Sequence, residues 1–195
     1  AEAGFADILY AVGFVPSKLE EAAAIRDMGV ELTLLTDSID AARATAEKAA
    51  RTGRTFPMMV EIDTGDGRCG LDPASEADAI VALAREIHAA PALELRGVLT
   101  HAGQSYHGAT PAEIRAIAEQ ERAGIARAAD LLRGAGLPCP VVSAGSTPTA
   151  RHAERLDGVT EMRPGVYMFA DVDQALIGSC GWGDIAVTVL ASVIG

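Results

Sequence analysis

The sequence has few aromatic residues, few cysteines and few basic side chains. Phe, Trp and Tyr make up 4% of the 195 residues, whereas alanine is abundant, which is typical of helices packed closely on a sheet. The three cysteines lie far apart, so the sequence indicates reduced thiols in a cytoplasmic protein, not a disulfide framework or a zinc cluster. Lys+Arg 16 against Asp+Glu 27 gives a formal net charge of −11, which argues against nucleic-acid or anionic membrane partners.

Long apolar runs are also lacking. No run approaches the roughly 18 residues of a membrane span, and no charged-then-apolar leader opens the chain. The apolar share of 49% is nevertheless enough for one sizeable core. The chain enters a strand-like run within a few residues and stops on another, DIAVTVLASVIG, which would leave a strand edge exposed. We therefore expect these residues to be an interior piece of a longer chain.

Strand-like and helix-like segments alternate along the chain. Apolar runs predict strands at 7–12, 32–37, 58–63, 95–101, 140–145 and 159–169. Helices are predicted between the first five of these strands, with N-terminal caps at Ser17, Ser38, Ser75 and Thr110. The alternation predicts an α/β fold in which helices cover a parallel sheet, either a doubly wound open sheet or part of an eight-stranded barrel.

Polar or glycine-rich groups follow at least four of the predicted strands. They occupy residues 61–68, 101–106, 143–147 and 163–166. An open sheet concentrates its ligand at one switch point, whereas a barrel collects all its strand ends in one mouth. The sequence therefore favours the barrel. GDGRCG is only superficially similar to a nucleotide-binding loop, because it lacks the lysine-serine ending and the spacing.

Each polar group also has a purely structural interpretation. Glu61 and Asp63 share one face of a strand, and Arg68 could be the counter-ion of a buried carboxylate. His101 could be a core histidine that is hydrogen-bonded to a neighbouring strand. SAGSTPT could be an ordinary turn with a helix cap, or an anion nest whose backbone N–H groups hold a phosphate. Four such groups at four strand ends favour a shared site.

Four motifs carry a resemblance to a known family. EIDTGDGRCG, GVLTHAG, VSAGSTPT and EMRPGVYMF resemble, in this order and spacing, the barrel domain of pyridoxal-phosphate enzymes of the alanine racemase fold. THAGQSY and GSTPT are more similar to the branch that contains D-threonine aldolase and D-serine dehydratase. The resemblance implies that residues 1–172 are about the third to eighth strands of a partial (β/α)8 TIM barrel, without the first two strands. Residues 173–195 would lead into the first strand of a C-terminal β-domain.

The resemblance implies roles around the pyridine ring of the cofactor. His101 would stack on the ring, Arg68 would reach the phenolic oxygen, and Arg163 would face the ring nitrogen. Glu61 stands where the racemases have a lysine, and its charge could orient Arg68 in a buried ion pair. Tyr106 would lie near the substrate or the ring. The catalytic residues implied are thus His101, Arg68 and Tyr106.

The resemblance also implies a phosphate cradle. Gly145, Ser146 and Thr147 would hold the phosphate together with the backbone N–H groups of Gly165 and Val166. A glycine at 165 is expected because a Cβ would block this close approach. We expect the backbone nitrogens of Ser146, Gly165 and Val166 to point into one small cavity.

Lysine is scarce, which bears on activity. A pyridoxal enzyme needs a lysine for its Schiff base, and the two lysines, Lys18 and Lys48, lie in predicted helices. In the family this lysine follows the first barrel strand, which is expected upstream. The divalent metal of this branch would be held by the C-terminal β-domain, and the sequence itself predicts no metal site. The piece alone is expected to be inactive.

The resemblance implies a cytoplasmic, PLP-dependent lyase that acts on a small D-β-hydroxy amino acid and is a homodimer when full length. Cleavage and dehydration act on the β-hydroxyl group, and the polar segment HAGQSYH, with Gln104 and His107, suits a hydroxylated substrate. Two other classes stay open beside this one and an amino-acid racemase. They are a non-catalytic PLP-binding barrel and a phosphosugar barrel enzyme without PLP, in which Glu61, Asp63 and His101 would be acid–base groups.

Overall fold

In the computed structural model, which describes residues 1–194, six strands form one parallel sheet. The strands are β1 (Asp7–Gly13), β2 (Glu31–Thr36), β3 (Phe56–Ile62), β4 (Leu93–Thr100), β5 (Val141–Ala144) and β6 (Glu161–Met162). Their order in the sheet is β1-β2-β3-β4-β5-β6, and every neighbouring pair is parallel. A doubly wound sheet would reverse its strand order at a switch point, so the prediction of a partial (β/α)8 barrel is confirmed.

Among residues 1–194, six α-helices connect or follow the strands. They are α1 (Leu19–Asp27), α2 (Ile39–Thr52), α3 (Ala77–Ala89), α4 (Pro111–Gly134), α5 (Thr147–His152) and α6 (Val172–Leu176). Two predicted N-terminal caps are confirmed, because Ser38 Oγ accepts from the N–H of Ala41 and Thr110 Oγ1 from that of Glu113. These side chains satisfy backbone donors that the first turn of a helix leaves without partners.

The other two predicted caps are wrong. Ser17 lies inside a short 3-10 helix, Pro16–Lys18, and α1 begins after it with no side-chain cap. Ser75 Oγ donates to Asp72 at 2.7 Å, and α3 begins only at Ala77. In both places the Ser-x-x-acid pattern is present, but Ser17 lies inside the 3-10 helix and Ser75 donates to the preceding turn.

The sheet has an outer face under the helices and an inner face toward the barrel axis. The outer core contains strand residues such as Leu34, Met58 and Val98, packed with Ile80, Leu83, Ile87, Ile125 and Leu132 of the helices. The inner face has a small apolar layer of Leu35, Met59 and Leu99. Because side chains alternate along a strand, the next inward position of β3 and of the segment after β4 carries a polar residue, Glu61 and His101 respectively.

The last part of the chain differs from the prediction. Of the strand expected at 159–169, only Glu161–Met162 pairs with β5, and Val166–Met168 forms a 3-10 turn. Pro164 explains this early end, since it has no N–H to donate to a neighbouring strand. The strand expected at 184–195 is not formed over residues 184–194, and its last residue lies outside the described part of the chain. Helix α6 starts at the predicted domain boundary, residue 172. The division into two domains stays a prediction.

Among residues 1–194, no helix combines the length and the apolar character that crossing a bilayer requires.

Candidate active site

A cleft of about 420 Å³ opens at the carboxyl ends of the strands. This volume is within the usual range for small-molecule and cofactor sites. It is lined by Ala11, Val12, Gly13, Glu61, Arg68, Cys69, Leu99, His101, Tyr106, Arg163, Gly165 and Val166. All the predicted site residues are therefore in its lining except Gly145, Ser146 and Thr147, which lie in the adjacent segment.

Glu61 is buried at the end of β3, with 5% of its surface exposed. Its Oε1 accepts a hydrogen bond from Cys69 Sγ at 2.8 Å, and its Oε2 has no hydrogen-bond partner among residues 1–194. Burial, followed by the hydrogen bond to Glu61, raises the pKa of the Cys69 thiol, which therefore remains a donor. Sequence reasoning missed Cys69, although the motif EIDTGDGRCG contains it.

The predicted ion pair between Glu61 and Arg68 is wrong. The Arg68 side chain is 59% exposed, and the carboxylate that it pairs with is that of Asp66, at 3.9 Å. Hydrogen bonding with the Cys69 thiol is the main cause that raises the pKa of Arg68. The guanidinium therefore stays a cation at the rim of the cleft and is not the counter-ion of the buried carboxylate.

The turn after β3 explains why Arg68 faces outward. Asp63 Oδ1 accepts from the N–H groups of Gly65 and Asp66 at 2.8 and 2.9 Å, and Oδ2 from Gly67 at 3.0 Å. This carboxylate therefore organises the turn and is not in the cleft lining. Gly70 then returns beside the strand with φ +96°, where a Cβ would come within 2.6 Å of the Asp63 nitrogen. The tight return carries Cys69, not Arg68, back to Glu61.

His101 and Tyr106 form one wall of the cleft. Nδ1 of His101 lies 3.2 Å from the carbonyl oxygen of Gly145. Because a carbonyl oxygen only accepts, Nδ1 carries the hydrogen in this contact. The two rings are 6.2 Å apart between centroids and tilted by 36°. The Tyr106 hydroxyl accepts from the N–H of Thr147 at 3.4 Å, which connects this wall to the start of α5.

Arg163 lies across the ends of β4 and β5. Its Nε donates to Ser143 Oγ at 2.6 Å, and its terminal nitrogen donates to the carbonyl oxygen of Thr100. Burial lowers the pKa of Arg163, while the carboxylates of Glu121 and Glu161 act in the opposite direction. These contacts fix the Arg163 side chain inside the half-barrel, so it is not a surface arginine on a turn.

The SAGSTPT segment is a helix N-terminus with its donors already engaged. Ser146 Oγ accepts from the N–H of Thr149 at 3.2 Å, and the Ser146 N–H donates to Thr149 Oγ1 at 3.0 Å. The Gly145 N–H donates to Glu121 Oε1 at 2.9 Å. The expectation that the Ser146 nitrogen points into the cavity is therefore wrong, because this reciprocal capping of α5 uses it.

The backbone N–H groups of Gly165 and Val166, unlike those of the SAGSTPT segment, are not used within the described part of the chain. Both residues line the cleft, and neither N–H donates a hydrogen bond within residues 1–194. Gly165 has φ −110°, and a Cβ built on it would meet nothing within 4 Å. The protein itself thus leaves open space at this glycine, with two adjacent backbone donors beside it.

Sequence reasoning also missed Glu121 of α4, which is only 2% exposed. Its Oε1 accepts from the N–H of Ala102 at 3.1 Å as well as from that of Gly145. A signal was available, because Glu121 interrupts the apolar stripe of α4 between Ala118 and Ile125.

Other residues singled out in the sequence lie outside the cleft lining. Gln104 donates to the carbonyl oxygen of Thr64 at 3.2 Å, and His107 is exposed. Lys18 Nζ lies 3.3 Å from the Tyr10 hydroxyl, and Lys48 donates to the Pro16 carbonyl. Over residues 1–194, no group of three or more His, Cys, Asp or Glu side chains is arranged to hold a metal ion.

The profile of the family described as "Alanine racemase, N-terminal domain" matches residues 1–173. The chain is 50% identical over 193 residues to D-threo-3-hydroxyaspartate dehydratase of Delftia sp. (strain HT23), which covers 99% of this chain and 50% of that protein. It is 30% identical to D-serine dehydratase of Dictyostelium discoideum, over 97% of this chain and 50% of that one. It thus spans about half the length of these curated relatives.

Solved structures of related enzymes have the same fold as this chain. The Delftia dehydratase superposes with a TM-score of 0.94 at 49% identity, covering 100% of this chain and 51% of that chain. D-threonine aldolase from Filomicrobium marinum superposes with a TM-score of 0.80 at 30% identity, covering 94% of this chain and 48% of that chain. The chain belongs to the alanine racemase N-terminal domain family, in the branch that contains D-threo-3-hydroxyaspartate dehydratase, D-serine dehydratase and D-threonine aldolase.

Proposed function

We propose that the full-length protein is a lyase that binds pyridoxal 5'-phosphate in the cleft and dehydrates a D-β-hydroxy amino acid. The observation that carries this proposal is the cleft, where an imidazole, two guanidinium groups and two free backbone donors meet at the strand ends. The 50% identity to D-threo-3-hydroxyaspartate dehydratase over 99% of the chain supports dehydration over aldol cleavage.

The phosphate end of the cleft fits the donors that the chain leaves free. The N–H groups of Gly165 and Val166 have no acceptor within residues 1–194, and a phosphate would supply one. Gly165 leaves room because it has no side chain to occupy the space beside these donors. Gly145 and Ser146 use their N–H groups inside the protein, so we assign them to the shape of the cradle. Thr147, at the first turn of α5, stays a candidate phosphate contact.

The ring end of the cleft fits a flat, polar cofactor. His101 is held by Gly145 with its ring on the wall, where it can stack on the pyridine ring. Arg163, fixed by Ser143 and Thr100, would place a cation at the ring nitrogen and oppose its protonation. Arg68 at the exposed rim is free to turn toward the phenolic oxygen. The bound cofactor would supply the electron sink for bond breaking at the α-carbon of the substrate.

Glu61 and Tyr106 would complete the site. The unpartnered Oε2 of Glu61 is a buried acceptor in the cleft, and buried acceptors without a donor are costly. We infer that a donor of the bound cofactor or substrate satisfies it. Tyr106 lies on the same wall as His101, where it would be near a substrate bound beside the cofactor ring.

Further parts of the proposal concern the rest of the protein. We propose a divalent metal that assists departure of the β-hydroxyl group by polarising its oxygen, with ligands outside these residues. One solved structure of a variant of the Delftia dehydratase is of the metal-free form. We also propose that the protein is a homodimer in the cytoplasm.

The test uses the full-length protein with pyridoxal phosphate and a divalent metal. We expect a visible absorption band that borohydride abolishes, pyruvate and ammonia from D-serine, and activity that a chelator removes. Glycine and acetaldehyde from D-threonine would instead assign aldol cleavage. Racemisation of alanine that is insensitive to chelator, without lyase products, would overturn the proposal, and the absence of any cofactor band would favour a phosphosugar enzyme.

A further inference from the structure

Glu121 is a carboxylate in a place where the helix otherwise buries apolar side chains. It lies near the middle of α4, in the row Ile114, Ala118, Glu121 and Ile125 that faces the sheet, and it is 2% exposed. A buried carboxylate is costly unless hydrogen bonds or a counter-ion compensate it. The contacts that compensate Glu121 therefore indicate what the residue does.

The compensating donors belong to two different strand ends. Oε1 of Glu121 accepts from the N–H of Ala102, which follows β4, at 3.1 Å. The same oxygen accepts from the N–H of Gly145, which follows β5, at 2.9 Å. One carboxylate oxygen thus fixes the distance between the segment that carries His101 and the segment that begins α5.

A third contact closes a ring of interactions. The carbonyl oxygen of Gly145 lies 3.2 Å from Nδ1 of His101, the residue directly before Ala102. Gly145 has φ +117°, and a Cβ there would come within 2.9 Å of the Arg163 nitrogen. The position of Gly145, and with it the imidazole, therefore depends on the carboxylate behind it.

We propose that Glu121 is a positioning residue for the cofactor cleft, which holds the His101 ring and the phosphate-side segment in register through Ala102 and Gly145. This inference rests on the proposed function, since it takes the cleft to bind pyridoxal phosphate. Glu121 touches neither cofactor nor substrate; it acts through two backbone N–H groups that it holds from the helix side.

The test compares two substitutions of Glu121 with a matched control in the full-length protein. Glu121→Met keeps the length of the side chain and removes the oxygen acceptor, whereas Glu121→Gln keeps a weaker acceptor, a carbonyl oxygen. Glu119→Met, two residues away on α4, removes an exposed carboxylate that pairs with Arg122 and Arg155 instead. Two quantities are measured: the amide proton shifts and exchange rates of Ala102 and Gly145 without cofactor, and the Kd of pyridoxal phosphate.

Each outcome decides the inference. Glu121→Met should move both amide protons upfield together, speed their exchange, and raise the Kd by about tenfold to 100-fold. Glu121→Gln should lie between it and the parent, and Glu119→Met should match the parent. If Glu121→Met does not fold, the Glu121→Gln variant decides. A Kd equal to that of the parent protein, together with shifted amide protons, would overturn the inference. Unshifted amides in either variant would also overturn it.

The two proposals fail in distinguishable ways. If the parent protein binds no pyridoxal phosphate, the proposed function is wrong, and a cofactor-positioning role for Glu121 is wrong with it. The amide shifts, which are recorded without cofactor, still decide whether Glu121 holds the two segments. Normal cofactor binding by the parent with an unchanged Kd in Glu121→Met would reject only the positioning role.

Discussion

Cys69 donates its thiol hydrogen to the buried carboxylate of Glu61, with 2.8 Å between Sγ and Oε1. The guanidinium of Arg68, one residue earlier, does not form this contact and lies 59% exposed at the rim. The acidic end of the cleft is thus held by a neutral donor, while a cation remains free to meet a ligand. This arrangement leads to different predictions from those of a buried ion pair.

Replacement of Cys69 by Ala should destabilise the fold. Both oxygens of Glu61 would then lack a donor, and the free energy of unfolding should fall by about 1–3 kcal/mol, measured by urea denaturation. Cys69→Ser keeps a donor and should lose less. The control is Cys180→Ala, because the Cys180 thiol makes no hydrogen bond within residues 1–194. Equal stability of Cys69→Ala and Cys180→Ala would contradict the contact.

Stability should also fall in mildly alkaline solution. Burial raises the pKa of Cys69 and of Cys139 above the ordinary value of 9.0. The folded state therefore holds both thiol protons more tightly than the unfolded state, and this contribution is complete below the unfolded-state pKa. It is lost as pH rises through the folded-state pKa. Urea denaturation between about pH 8 and about pH 10 should show the fall, and the Cys69→Ala, Cys139→Ala double variant should show a smaller one. The same fall in unfolding free energy with pH in the parent and in the double variant would contradict the prediction.

Arg68→Ala should affect binding and not stability. Since the guanidinium is 59% exposed and its ion pair with Asp66 spans 3.9 Å, its removal should cost less than about 1 kcal/mol of unfolding free energy. The affinity for pyridoxal phosphate should fall, because a cation of the cleft is lost. Arg85→Ala is the control, an exposed arginine without an ion pair in the described part of the chain. A loss of several kcal/mol of unfolding free energy in Arg68→Ala would contradict this and support a buried ion pair between Arg68 and Glu61.

Replacement by alanine should reduce stability at Gly145 and cofactor binding at Gly165. At Gly145, φ +117° and the approach of the Arg163 nitrogen to 2.9 Å predict a loss of about 1–3 kcal/mol in unfolding free energy. At Gly165 nothing lies within 4 Å of a built Cβ, so stability should change by no more than about 0.5 kcal/mol. The Kd of pyridoxal phosphate should nevertheless rise in Gly165→Ala, since the methyl group would occupy the phosphate space. An unchanged Kd in Gly165→Ala would show that Gly165 is not part of the phosphate cradle.

The parts of the fold that could be predicted are those with a strong local pattern. β3 is apolar throughout its first five residues, and the caps at Ser38 and Thr110 lie directly before long amphipathic helices. Ser75 has a similar local pattern, but Asp72 accepts its hydroxyl hydrogen. That competing partner lies in the preceding turn, which periodicity does not describe.

The site was predictable as a set of residues and less so as a set of contacts. The position of Glu61 and His101 at strand ends follows from the pattern of the sequence, because parallel strands share one carboxyl edge. The partner of Glu61 depends on the tight return at Gly70, which a motif of ten letters does not specify. Glu121 lies 20 residues after His101 along the chain, and only the packing of α4 on the sheet brings it to Ala102.

The central claim is that the cleft serves dehydration of a D-β-hydroxy amino acid. It is tested most directly by incubating the full-length protein with pyridoxal phosphate, a divalent metal and D-threo-3-hydroxyaspartate, and by measuring ammonia and oxaloacetate over time. We predict that both products form in equal amounts and that a chelator stops their formation. Glyoxylate and glycine in their place, or no turnover of this substrate alongside racemisation of alanine, would contradict the account.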